Sequence, residues 1–277
     1  MTATTAARRR VALASAALAA VALVAGMAST SATATEDAQG TTMAAKSRDA
    51  KARNARTVRT VKAPQAPAVA LAASPTDFTS IFAGQLPAYT NSGWSACPAP
   101  ITWNVDNTGL DEAQTAQQMA NLEYAFAQWT AASGLIFQFL GGTDLVVDET
   151  YFSLKAADGS PTPSRHINLA FLDDASSALL GGTTVGMAGP TAVWAGSQEV
   201  DSGAGIFLLE AVKKMSDTQA RALYTHELGH VLGLGHANDV GNIMSPIVGE
   251  RSDLGAGDIA GVRTMTKPCA ATTPETL

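Results

Sequence analysis

The chain has 277 residues, 46% of them hydrophobic and 15% charged, with two cysteines and a formal net charge of −6. These values exclude a disordered chain, a disulfide-dense scaffold, a cysteine-rich zinc module and a general nucleic-acid binder. No apolar run of spanning length follows the N-terminal region, which excludes a polytopic membrane protein. The charge is unevenly placed. Through Ala72 there are 10 Lys and Arg against 3 Asp and Glu, a net of +7, whereas from Ala73 onward there are 8 against 21, a net of −13. An asymmetry of this size marks a boundary, and the two parts read differently.

Arg8, Arg9 and Arg10 precede the apolar, Ala-rich stretch Val11 to Met27, and Ala32-Thr33-Ala34 offers an A-x-A cleavage site. This order predicts a secretory signal peptide over residues 1–34, with an uncleaved anchor as the alternative. Residues 35–77 read as a low-complexity linker or pro-segment. Thr35 to Ala73 holds no aromatic residue and no cysteine and cannot bury a sizeable core. Basic residues between Lys46 and Lys62 suit trypsin-like processing, and a passive tether is the other reading. The folded domain is expected over residues 78–270, with 271–277 as a tail. All Trp, Tyr and Phe lie beyond Ala73.

Within the domain, Ile101 to Val105 alternates and carries β-branched residues, so it predicts a strand. Asp111 with Gln114 three residues on is a helix cap signal, and Met119, Leu122, Phe126 and Trp129 form an apolar stripe on the helix that follows. Ser133-Gly134 stops it. Leu135 to Leu140, Leu145 to Val147 and Ile167 to Leu172 read as strands. Gly181-Gly182 turns into an edge strand over Thr183 to Met187, and Ile206 to Leu209 is a further strand. Ser216 with Gln219 caps a second long helix, 217–232, and a last helix covers 256–265. The mixture predicts an α+β domain.

Three of the four histidines fall within eleven residues, His226-Glu227-Leu228-Gly229-His230-Val231-Leu232-Gly233-Leu234-Gly235-His236. His226 and His230 are four apart on a predicted helix, so both imidazoles leave one face about one turn apart. His236, ten residues past His226, would sit about 15 Å farther along a straight helix, too far to share an ion. The chain must therefore turn, and Gly233 stands where a glycine with positive φ ends a helix, with Gly235 adding freedom. Three neutral imidazoles suit one Zn2+ with an open fourth position, the catalytic arrangement. Glu227, beside the first ligand, can take a proton from water and return it to a leaving amine as general base and acid.

At these residues the sequence resembles the metzincin metalloproteases, whose pattern is H-E-x-x-H-x-x-G-x-x-H. Asn242-Ile243-Met244-Ser245-Pro246 is similar to their Met-turn, and its short distance from His236 is similar to that of matrixins. The resemblance implies a zincin-like α+β fold with a twisted mixed β-sheet, long helices and a zinc cleft above a small C-terminal subdomain. It implies His226, His230 and His236 as metal ligands, Glu227 as the catalytic base and Met244 as the floor of the site. It makes Ca2+ conceivable at Asp144, Asp148, Glu149, Asp173, Asp174 or Asp201, although a solvated acidic surface is the preferred reading of each. No cysteine precedes Cys97, so a pro-segment cysteine latency of the animal-matrixin kind is absent. No Tyr follows Met244 in the turn. His166 alone is available upstream, so a second, structural zinc is not expected, and His166 reads as a hydrogen-bonded structural residue. Cys97 and Cys269 bracket the domain, and in an exported protein a disulfide between them is the preferred reading over two free thiols.

The combined reading is a secreted zinc-dependent metalloendopeptidase acting on protein or peptide substrates. It is expected to be a monomer, extracellular, with no stable membrane span after signal cleavage and no nucleic-acid partner. The alternatives are a catalytically silent peptide- or surface-binding protein on the same fold, or a protease that processes only itself. The edge strand near Val185 is expected to pair with an extended substrate. Loops after Gly241 and around Ala188 to Gly196 are expected to shape specificity.

Overall fold

The computed structural model describes residues 74–85, 89–150, 152–194, 196–247 and 251–269, together with the backbone of 10–12, 20–22 and 59–60. The expected signal peptide and linker lie largely, and the tail wholly, outside the described residues.

Five strands form the central sheet: β1 (Ile101–Asp106), β2 (Phe137–Gly142), β5 (His166–Leu172), β6 (Thr184–Trp194) and β7 (Glu199–Leu208). Their order is β6-β7-β5-β1-β2. The β7–β5, β5–β1 and β1–β2 pairs are parallel, and only β6 runs antiparallel to its neighbour. On the outer edge of β6, Ala20–Ala22 and Arg10–Ala12 pair antiparallel, and Arg59–Thr60 pairs with β2. Helices α1 (Glu112–Ser133), α2 (Asp217–Val231) and α3 (Ala256–Met265) complete the domain.

Alternation along the strands separates two apolar layers. Trp103, Ile167, Leu169, Phe171 and Phe207 face the helices and pack against Leu122, Phe126 and Trp129 of α1 and Leu223, Tyr224 and Val231 of α2. Trp103 stacks on Phe126 with ring centroids 4.4 Å apart. The opposite face offers Ala170, Met187, Ala204 and Ile206, covered by Phe152, Leu180 and a hairpin of β3 (Leu145–Asp148) and β4 (Ser153–Ala156). The fold is thus α+β with a mixed sheet.

Both predicted caps are present as reciprocal boxes. Asp111 Oδ1 accepts from Gln114 N at 2.8 Å while Asp111 N donates to Gln114 Oε1 at 3.0 Å. Ser216 and Gln219 repeat the pattern at 3.3 and 3.0 Å. Gly134 ends α1 at φ 76°.

Two strands run well beyond their expected limits. β7 begins at Glu199, whereas the apolar pattern points to a start at Ile206, because Gly203, Ala204 and Gly205 just before it carry little apolar signal. Their smallness serves packing: a Cβ on Gly203 would lie 2.6 Å from Val231 Cγ1, so α2 sits directly on the strand. β6 extends to Trp194 through Pro190, which interrupts a strand pattern; register shifts fall between Pro190 and Val193, as expected where a proline enters an edge strand. β4 carried no clear alternation and was not expected. Leu209 opens a helical turn, Leu209–Val212, instead of ending a strand.

Cys97 and Cys269 form a disulfide with Cα atoms 4.6 Å apart, beside a short parallel pairing of Ser95–Ala96 with Lys267–Pro268. Among the described residues no helix is long and apolar enough to cross a membrane.

Candidate metal centre

α2 carries two of the three clustered histidines into the interior. His226, Glu227 and His230 are each 0% exposed, and the helix bearing them is held from both sides by indoles. Trp129 Nε1 donates to Thr225 O at 2.9 Å, and Trp94 Nε1 donates to Val231 O at 2.8 Å, both buried. The second bond occupies a carbonyl that the helix end would leave without an intrahelical donor. Gly229 allows the closest approach: a Cβ there would collide with Met244 Sδ and lie 2.9 Å from Trp129 Cζ2. Met244 therefore sits under the helix between the two ligand-type histidines.

The helix ends in a Schellman arrangement. Gly233 adopts φ 103°, its N–H donates to His230 O at 3.0 Å, and Leu234 N donates to Gly229 O at 3.0 Å. This reversal returns His236 to the helix face. Ligand atoms of His226, His230 and His236 all lie within 4.8 Å of one another.

The proton positions follow from the hydrogen bonds. His226 Nδ1 donates to Ile243 O at 2.7 Å, and His230 Nδ1 donates to Leu234 O at 2.7 Å. Burial lowers the pKa of both rings, His226 well below the ordinary imidazole value and His230 to about 3; burial lowers His236 as well. The neutral rings thus carry their protons on Nδ1, and two Nε2 lone pairs face each other at 3.0 Å with no proton between them. His236 Nε2 is buried without a hydrogen-bond partner. Three convergent imidazole nitrogens, two of them fixed through the other ring nitrogen, are the donor set that zinc takes, and they can hold one such ion.

Glu227 follows His226 on the same helix, and its side chain lies against strand β6. Both carboxylate oxygens are buried without a partner, and burial raises its pKa well above the ordinary value. A Cβ at Gly186 of β6 would lie 2.6 Å from Glu227 Oε1 and 3.0 Å from Leu223 Cδ1, so the edge strand passes directly over the carboxylate.

Residues that carried no sequence signal support this arrangement from below. Asp258 of α3 is 1% exposed and accepts from Ile243 N at 2.6 Å, Gly255 N at 2.7 Å and Met244 N at 3.2 Å. The 243–244 peptide thus bridges the two side chains: its carbonyl accepts from His226 Nδ1 and its N–H donates to Asp258 Oδ1. Asn242 Oδ1 accepts from Gly257 N at 3.0 Å. The reach from Asp258 back to residue 243 belongs to no local motif.

The matrixin family profile matches residues 93–266. The chain belongs to the matrixin family. No curated protein matches it. The match covers the central sheet, all three helices and the histidine cluster of this matrixin, and it places the chain in a zinc-dependent metallopeptidase family. His166 of this matrixin is elsewhere, on the outer sheet face, bonded to Thr102 Oγ1 at 2.7 Å and Asn168 Oδ1 at 2.9 Å. Several of the acidic residues considered for calcium have other partners, Asp173 with Ser176 Oγ among them. Asp148 pairs with Lys155, Glu149 accepts from Ala178 N, and Asp201 accepts from Trp194 Nε1. Among the described residues, the histidine triad is the group of three or more ligand-type side chains that the fold of this matrixin assembles.

Proposed function

We propose that this matrixin is a secreted zinc-dependent metalloendopeptidase, with His226, His230 and His236 as metal ligands and Glu227 as general base. The observation that carries the reading is the convergence of three imidazole nitrogens beside a buried, unpartnered carboxylate under an edge strand. When bound, zinc supplies Lewis acidity that acidifies a water and polarises the scissile carbonyl.

The protein supplies the rest. The outer edge of β6 holds the substrate as an added antiparallel strand. Support comes from the chain itself, since Val21 stands opposite Gly186 in such a pairing. Because Gly186 lies against Glu227, a peptide on this edge passes the carboxylate. Glu227 accepts a proton as water attacks the carbonyl carbon, and passes it to the departing amine nitrogen, so the products are a carboxylic acid and an amine. Its burial favours holding that proton between the two events. The loop following Gly241 and the region around residues 188–196 are the segments we propose to shape side-chain preference. Secretion rests on the N-terminal arginines, apolar stretch and A-x-A site, and the disulfide fits an oxidising compartment.

The test is cleavage of a diverse peptide library read by mass spectrometry, with zinc content measured for wild type and Glu227→Ala. Cuts by the wild type and none by the zinc-loaded variant are expected. A folded, zinc-loaded wild type that cuts no added peptide would leave peptide binding or self-processing as the function.

A further inference from the structure

The three histidines differ in how they are aimed. His226 and His230 each anchor Nδ1 on a backbone carbonyl, whereas His236 is positioned by the loop that carries it. That loop is laced to a segment more than 150 residues earlier in the chain. Ile81 N donates to Gly233 O at 2.9 Å, Gly235 N donates to Thr79 O at 2.9 Å, and Thr79 Oγ1 donates to His236 O at 2.8 Å. Thr79 Oγ1 fills the space beside Gly235, where a Cβ would lie 2.5 Å away. Asp77 then closes the far side of the loop. Its Oδ1 accepts from Asn238 N at 3.1 Å and Asn238 Nδ2 at 3.2 Å. Its Oδ2 accepts from Asp239 N at 2.6 Å and Asn242 Nδ2 at 3.0 Å.

We infer that residues 77–81 are a strap that positions His236 for the metal, with Asp77 as its main fastening. The inference rests on the reading of the three histidines as zinc ligands. One carboxylate gathers donors from both ends of the 238–242 loop, between His236 and Met244. Released, that loop and the backbone of His236 gain freedom that the ligand geometry does not allow. The strap lies immediately after the basic linker, so cleavage between Lys46 and Lys62 leaves it in place, whereas trimming through Asp77 loosens the third ligand. The working domain therefore includes Asp77.

The experiment uses the full chain and variants Asp77→Ala, Asp77→Asn and Thr79→Val. Zinc affinity is measured by competition with a chromophoric chelator, and cobalt(II) absorption reports the ligand set. Asp77→Ala should raise the zinc Kd about tenfold or more, in the range known for residues that orient metal ligands. Its cobalt spectrum should lose intensity as His236 leaves. Asp77→Asn keeps the Oδ1 acceptor and turns a donor toward Asp239 N, so its Kd should fall between. Asp158→Ala removes an exposed carboxylate with a similar turn bond to Ser160 N and should leave Kd unchanged. An Asp77→Ala Kd within twofold of wild type overturns the strap while leaving the ligand reading intact. A wild-type chain that takes up no zinc overturns both. Should Asp77→Ala not fold, Asp77→Asn and Thr79→Val decide, and unchanged affinity in both overturns the strap.

Discussion

His226 and His230 reach the centre from a helix whose carbonyls at Thr225 and Val231 are tied to two buried indoles. His236 arrives on a loop held by backbone bonds to residues 79–81, by Asp77 and by the Met244 segment, since Ala237 N donates to Met244 O at 2.8 Å. The helix-borne half depends on close packing against large side chains. The loop-borne half depends on carboxylates and amides that replace regular secondary structure. Packing is sensitive to volume and indifferent to pH, whereas hydrogen bonds to carboxylates, one of them buried at Asp258, are sensitive to both charge and pH.

Four substitutions press on this contrast. The largest effect is expected at Glu227. Glu227→Gln should lower kcat/KM by roughly 10²–10⁴-fold with zinc content unchanged, as for loss of a general base. The same change should raise the melting temperature of the zinc-free protein, because it removes a buried carboxylate without a partner. A metal-free variant less stable than wild type would contradict that account.

Asp258 tests the loop-borne half. Burial raises its carboxyl to about 6 against three N–H donors that pull it down. The folded state therefore takes up this proton at higher pH than the unfolded chain does. The contribution is fully present below pH about 4 and is lost as pH rises through 6, on the order of 3 kcal/mol. Asp258→Asn should flatten this part of the stability curve, measured by urea unfolding from pH 4 to 7. A wild-type-minus-variant difference that stays constant across the window would rule it out.

On the helix-borne half, Gly229→Ala forces a methyl against Met244 and Trp129. Overpacking of this kind costs about 1–3 kcal/mol, and thermal melting at fixed pH should show a lower midpoint at pH 5 and pH 7 alike. Trp94→Phe keeps most of the ring volume and removes the bond to Val231 O. The expected loss is about 1 kcal/mol, since the carbonyl is left buried without that donor. A double variant with Gly229→Ala tests whether the two ends of the helix act independently.

Much of the centre was legible beforehand because its chemistry is local. The spacing of His226 and His230 places both on one helix face, and Gly233 marks the reversal that His236 requires; the fold brings the three together. The caps at Asp111 and Ser216 were equally readable, since a cap and its partner lie three residues apart. His166 was expected to be hydrogen-bonded and is, through Thr102 and Asn168. By contrast, strand residues 199–205 and 188–194 gave little apolar pattern, the first because Gly203 leaves room for α2 to sit directly on the strand and the second because Pro190 interrupts the alternation.

What the sequence determined by itself is therefore the α+β class, the helices and their ends, and which side chains form the histidine cluster. These depend on periodicity, capping and glycine conformation within a few residues. The tertiary structure alone decided that Gly186 lies over Glu227, that two indoles hold α2, that Asp258 holds the turn at Met244, and that Asp77 fastens a loop 165 residues away. Such contacts depend on the folded arrangement of distant segments, and an Asp or Trp in the sequence carries no mark of the partner that folding will bring to it.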